Sequence, residues 1–105
     1  DSPERIKVFK QKLSDHDLYF FDDVNEAKRA VEIIGGFDFF FIDHDLDNKV
    51  FVNSHEQNTG YQFAKFLAEK GIVKDTVIHS MNVVGAQNIK AALPHAQIVP
   101  FPTLF

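Results

Sequence analysis

Two short stretches gather most of the groups able to move protons or hold charge. One is Asp43-His44-Asp45, with Asp47 close behind; the other is His79-Ser80, with Asn82 two positions on. Three ionisable side chains in a row are costly to bury unless they are paired or metal-bound. Asp43 and Asp45, joined by Asp1, could hold Mg²⁺ through carboxylate oxygens, with water completing an octahedron. His44 and His79 would suit a softer ion such as Mn²⁺ or Zn²⁺. Either histidine could act as a general acid or base, and Ser80 could donate to a phosphate oxygen. A nucleophilic pair of Ser80 with His79 is disfavoured, because neighbours in a strand point to opposite faces. The plainer reading of Asp43-His44-Asp45 is a loop in which Asp45 or Asp47 only caps and turns.

Other polar positions stand at helix starts. Thr59, Gly60 and Gly85 fall where backbone N–H groups are free to meet an anion, although ordinary capping and close packing would explain each alone. Asn82 and Asn88 could position a ligand or simply cap and decorate a helix. His16, His55 and His95 read as surface residues, and His55 lies in a long loop that could fold over the site. With no Cys in the chain, thiolate chemistry and disulfides are excluded.

The elements that must position these groups alternate. Ser2-Pro3-Glu4 is a helix start, and Ile6, Phe9 and Leu13 follow at helical spacing, so the pattern predicts a helix over residues 3–13. Leu18 to Phe21 is an apolar run that predicts a strand. Asn25 can cap a second helix carrying Ala27, Ala30, Val31 and Ile34, ended by Gly35-Gly36. Phe37 to Ile42 is nearly continuous aromatic and β-branched sequence, which predicts a buried central strand. The polar stretch 47–58, interrupted by Val50-Phe51-Val52, reads as a long loop of functional length. Thr59 then caps a helix with Tyr61, Phe63, Ala64 and Leu67 inside and Gly71 at its end. Thr76 to His79 reads as a strand, Asn82 to Leu93 as a helix closed by Pro94, and Gln97 to Val99 as a last strand before Pro100 and Pro102.

Helix and strand in strict alternation imply one receiver-like, flavodoxin-like α/β domain over residues 1–105, a doubly wound parallel sheet with helices on both faces. Ligands in such sheets bind past the carboxyl ends of the strands, where Asp43 and His79 are expected to meet. A doubly wound domain ordinarily starts on a strand, whereas this sequence starts on a helix. The first strand is therefore expected to be missing from this chain, supplied otherwise, or replaced by a different topology.

The chain is long enough for one core, and its 12 Phe with no Trp should fill most of it. Net charge is −4 with no basic stripe, which argues against an extended nucleic-acid surface but leaves room for one nucleotide or one phosphorylated end. No apolar run reaches membrane-spanning length and no signal peptide opens the sequence, so a cytoplasmic setting is the default expectation.

Taken together, Asp43-His44-Asp45-Leu46, Thr59-Gly60-Tyr61, His79-Ser80-Met81-Asn82, Gly85 and Asn88-Ile89 resemble the cyclic-phosphate-processing receiver-like domains, a divergent branch of the receiver fold of response regulators. The resemblance covers roughly residues 1–93. It implies that Asp43 stands at the receiver phospho-acceptor position, that Ser80 matches the hydroxyl residue contacting the phosphoryl group, and that Asp1 matches the second member of an acidic metal-binding pair. The first member has no counterpart here, and Pro100-Phe101 stands where a receiver carries a Lys. The function this implies is metal-assisted binding or hydrolysis of a phosphoester, such as a cyclic phosphate of a nucleotide or RNA end, with Mg²⁺ or Mn²⁺ as cofactor. Two alternatives are a phospho-accepting signalling receiver and a catalytically silent module for a protein partner.

Overall fold

In the computed structural model the described residues are 3–46 and 53–104. Asp1, Ser2, Asp47 and the apolar interruption at residues 50–52 lie outside them, so the expectations placed on those positions do too.

Four helices and three strands are formed: α1 (Pro3–Lys12), α2 (Val24–Ile33), β1 (Phe39–Ile42), α3 (Gly60–Glu69), β2 (Asp75–Ile78), α4 (Val83–Ala92) and β3 (Gln97–Ile98), followed by a 3₁₀ turn at Phe101–Thr103. The strands form one parallel sheet in the order β1-β2-β3, with Phe41 opposite Val77 and Ile42 opposite Ile78. Parallel neighbours need a crossover, and α3 and α4 supply the two crossovers.

Side chains alternate across the sheet with the period of two that a strand dictates. Ile42 and Ile78 point to one face and join Ala64 and Leu67 of α3, Ala86 and Ile89 of α4, Leu93 and Ala96 in a contiguous core. Phe40 and Phe63 pack against its edge. Phe41 and His79 fall on the opposite face, where Phe9 of α1 meets them edge-on at ring distances of 4.9 and 5.5 Å. Phe101 closes on Phe9 from the other side at 5.9 Å.

Helix starts follow from local chemistry. Thr59 and Asn82 cap α3 and α4 through their side chains, as the sequence suggests. For α2 the cap is Asp23, not Asn25: Asp23 Oδ1 accepts the N–H groups of Asn25 at 2.8 Å and Glu26 at 3.2 Å, which leaves Asn25 inside the first turn. A carboxylate two residues upstream is the better-placed acceptor for those orphan donors. After α2, Gly35 and Gly36 both take left-handed backbone, with φ of 64° and 65°.

The strand expected at Leu18 to Phe21 does not form. Apolar content suggests a strand, but only a neighbour's hydrogen bonds make one. Instead, a groove of about 990 Å³ is lined by both this segment and β1. The same groove corrects the expectation for Phe37 to Ile42. Among the described residues β1 pairs on one side only, so it is an edge rather than a central strand, and Phe39 is 45 % exposed. A complete doubly wound sheet is therefore not built from the described residues.

Candidate functional site

Asp43 and His44 leave β1 in opposite directions, and that divides the expected site into two clusters.

The first cluster faces α1. Arg5 Nη1 reaches Asp43 Oδ2 at 3.2 Å, His79 Nδ1 at 3.3 Å and, more distantly, the His79 carbonyl at 3.5 Å. Its guanidinium also lies over the Phe101 ring, 4.9 Å from the centroid. One cation thus bridges the ends of β1 and β2. His79 is buried, and that burial, followed by the nearby Arg5 charge, lowers its pKa from 6.5 to about 3. The ring is therefore neutral at pH 7. Arginine has only donors, so Nδ1 must be the acceptor and Nε2 carries the ring proton.

The second cluster lies against α3 and α4. His44 is wholly buried, its Nδ1 2.8 Å from Asp45 Oδ1 and its Nε2 2.8 Å from Ser54 Oγ. Asn82 donates through Nδ2 to Asp45 Oδ1 at 3.2 Å, and Asn88 donates through Nδ2 to Ser54 Oγ at 2.9 Å. Two glycines allow this approach. A methyl at Gly85 would collide with the His44 ring, and one at Gly60 would collide with the Asp43 carbonyl. Gly60 N–H donates to the His44 carbonyl at 2.9 Å, and Asp45 forms an antiparallel bridge with Thr59. The run Asp43-His44-Asp45 is thereby held between the first turns of α3 and α4.

The structure brings most of the sequence-derived residues together, though not all in ligand-facing roles. Thr59 is buried; its hydroxyl donates to the Glu56 carbonyl and accepts from Gln62 N–H, each at 3.3 Å. Ser80 Oγ accepts Asn82 N–H at 3.0 Å, and Gly85 N–H goes to Asn82 Oδ1 at 2.9 Å. These groups shape the turns. His16, His55 and His95 are exposed, as expected.

Arg5 and Ser54 carry no motif that singles them out. Arg5 could have been noticed because it stands four positions before Phe9, which puts a charge beside the buried stripe of α1. Ser54 sits in a loop with no periodic signal to mark it.

Among the described residues no three Asp, Glu or His side chains form a group able to hold a metal ion. Asp43 faces Arg5, and Asp45 is bonded by His44 and Asn82. A divalent cation at Asp43 would have to displace the guanidinium from the same carboxylate. The described residues alone do not complete the expected set for Mg²⁺ or Mn²⁺, because Asp1, its third carboxylate, lies outside them.

Charged and polar groups past the carboxyl ends of parallel strands stand where ligands bind in α/β domains. The chain belongs to the cyclic-phosphate processing receiver domain family, whose model matches residues 8–95. The matched span takes in both clusters except Arg5 and Phe101. No curated protein and no solved structure matches the chain. No helix of the described residues is long and apolar enough to cross a membrane.

Proposed function

We propose that this receiver domain binds and hydrolyses a phosphoester at the carboxyl ends of β1 and β2, the substrate being a cyclic phosphate of a nucleotide or of an RNA end. The observation that carries the reading is the bridge of Arg5 between Asp43 and the neutral His79. A guanidinium fixed at a strand end is suited to a phosphoryl oxygen, which it can meet with two parallel N–H donors. Being unprotonated, His79 enters as a base. Burial is the first cause of that low pKa and the Arg5 charge the second; phosphate charge beside Arg5 offsets the second, so the ring gains basicity when substrate arrives. As the phosphate draws the guanidinium off His79 Nδ1, water gives a proton to that nitrogen and adds to phosphorus; the ring P–O bond breaks, and Nδ1 returns the proton to the leaving oxygen. Asp43 holds Arg5 in place until the phosphate takes its share of the guanidinium.

The test is turnover of 2′,3′-cyclic nucleotides and cyclic-phosphate-ended RNA with Mg²⁺, with Mn²⁺ and with chelator. Ring opening that survives chelation and drops at least ~100-fold in Arg5→Ala and His79→Ala supports this reading. Turnover that requires metal, and is lost in Asp43→Asn but kept in Arg5→Ala, returns the site to the arrangement of Asp1, Asp43 and Asp45 around a cation. No binding and no turnover under any condition defeats both.

A further inference from the structure

The second cluster has a proton path that its hydrogen bonds fix step by step. Asn82 Oδ1 accepts Gly85 N–H, which sets the orientation of the amide and leaves Nδ2 to face Asp45 Oδ1 at 3.2 Å and, at a longer 3.4 Å, His44 Nδ1. Asp45 Oδ1 therefore acts as an acceptor, and His44 Nδ1, 2.8 Å away, is the donor. In the neutral ring Nε2 then holds the lone pair, which is directed at Ser54 Oγ. Ser54 already accepts from Asn88, so its own O–H is free to point at Nε2. Carboxylate, imidazole and hydroxyl lie in series at 2.8 and 2.8 Å, the geometry in which a base activates a serine. Ser54 opens onto a cavity of about 530 Å³ lined also by His55, Tyr61, Asn82, Gly85 and Asn88. That volume is within the range that holds a small organic ligand.

We propose that Ser54 is a catalytic nucleophile, with His44 as its base and Asp45 and Asn82 as positioning residues, and that it attacks the phosphorus of a phosphodiester held in this cavity. For its substrate class the proposal rests on the phosphoester reading above; for its nucleophile it does not. The Ser54 proton passes to His44 Nε2, the Oγ–P bond forms, and the P–O bond to the leaving alcohol breaks. His44 returns the proton to that alcohol oxygen. Water then gives a proton to His44 and adds to phosphorus, and Ser54 leaves as the restored hydroxyl. Asn88 Nδ2 is placed to donate to oxygen at the reacting centre once Ser54 Oγ has bonded phosphorus.

The experiment uses the full chain with a fluorophosphonate probe, whose phosphorus carries its own leaving group, followed by peptide mass mapping. One adduct is expected at Ser54, formed far faster than at exposed Ser14, which serves as an internal control. Ser54→Ala should abolish it. Asp45→Asn should slow it by at least ~100-fold, through the wrong imidazole tautomer, with the circular dichroism spectrum retained. Equal labelling of Ser54 and Ser14 in the wild type overturns the proposal without recourse to any variant. So does an Asp45→Asn rate equal to the wild type. Labelling needs no cyclic phosphate, so its failure leaves the Arg5 site standing, and loss of cyclic-phosphate binding in Arg5→Ala leaves Ser54 standing.

Discussion

The two faces of the sheet are filled to different degrees. Against Ile42 and Ile78, two helices close a core with Ala64, Leu67, Ala86 and Ile89 nearly inaccessible to solvent. On the other face one helix reaches the sheet through Phe9 and Arg5, while Tyr19, Phe20, Phe21 and Phe39 stay partly in water beside the groove. Each face carries one of the two polar clusters, and the two are held in different ways. The closed face holds His44 by packing, so that its geometry is set before any ligand arrives. The open face holds Arg5 by charge, so that an incoming anion can redistribute its bonds. Close packing preorganises a site, and a charged bridge leaves one adjustable.

The largest expected effect tests the packing difference directly. Leu67→Ala should lower unfolding free energy by about 3 kcal/mol, whereas Phe39→Ala should cost under ~1 kcal/mol. Urea unfolding measures both, and equal losses would erase the distinction between the faces. Next comes Gly85→Ala, which inserts a methyl into the His44 ring and should destabilise by about 2 kcal/mol. Its counterpart is Gly36→Ala, where nothing stands within 4 Å and only the φ of 65° is at stake, with a cost nearer ~1 kcal/mol.

Acid should act on the open face. Because His79 is held at a pKa of about 3 against 6.5 ordinarily, the unfolded chain binds a proton in that interval that the folded chain does not. The stabilisation is therefore fully present above pH 6.5 and is lost as pH falls toward 3, at a limiting slope of about 1.4 kcal/mol per pH unit. A pH series of urea midpoints in wild type and His79→Gln isolates it. A slope shared equally by both proteins would remove His79 as its source. The smallest effect belongs to Lys70 and Glu32, 3.8 Å apart with both side chains more than half exposed. Breaking that pair should change stability by less than ~0.5 kcal/mol, and a double-mutant cycle reads it.

Periodicity and capping chemistry made much of this fold legible. The helical spacing of Ile6, Phe9 and Leu13, the caps Thr59 and Asn82 and the apolar strands expected at residues 37–42 and 76–79 are local features, and they formed within two residues of those bounds, the strands at Phe39–Ile42 and Asp75–Ile78. The run at Leu18 to Phe21 misled because pairing belongs to two segments, and no single stretch records it. For the site, Asp43, His44, Asp45, His79 and Asn82 were legible as polar residues past strand ends, and Asn88 as a polar position on the helix that follows. Their division between two faces follows from strand alternation, which applied equally to Asp43 and His44. Arg5 and Ser54 were not legible, since each acquires meaning only from what the fold brings against it.

The pinch of Gly85 on His44 has a consequence in time rather than space. With no solvent around the ring and α4 pressed against it, the Nδ1 proton, held on Asp45 Oδ1, can leave only if the helix lifts or if it passes through that carboxylate. Its exchange with water is then governed by local opening and not by encounter with solvent. That proton should persist as a resolved downfield imidazole resonance at ordinary temperature, and its lifetime reports how often the closed face of the sheet comes apart.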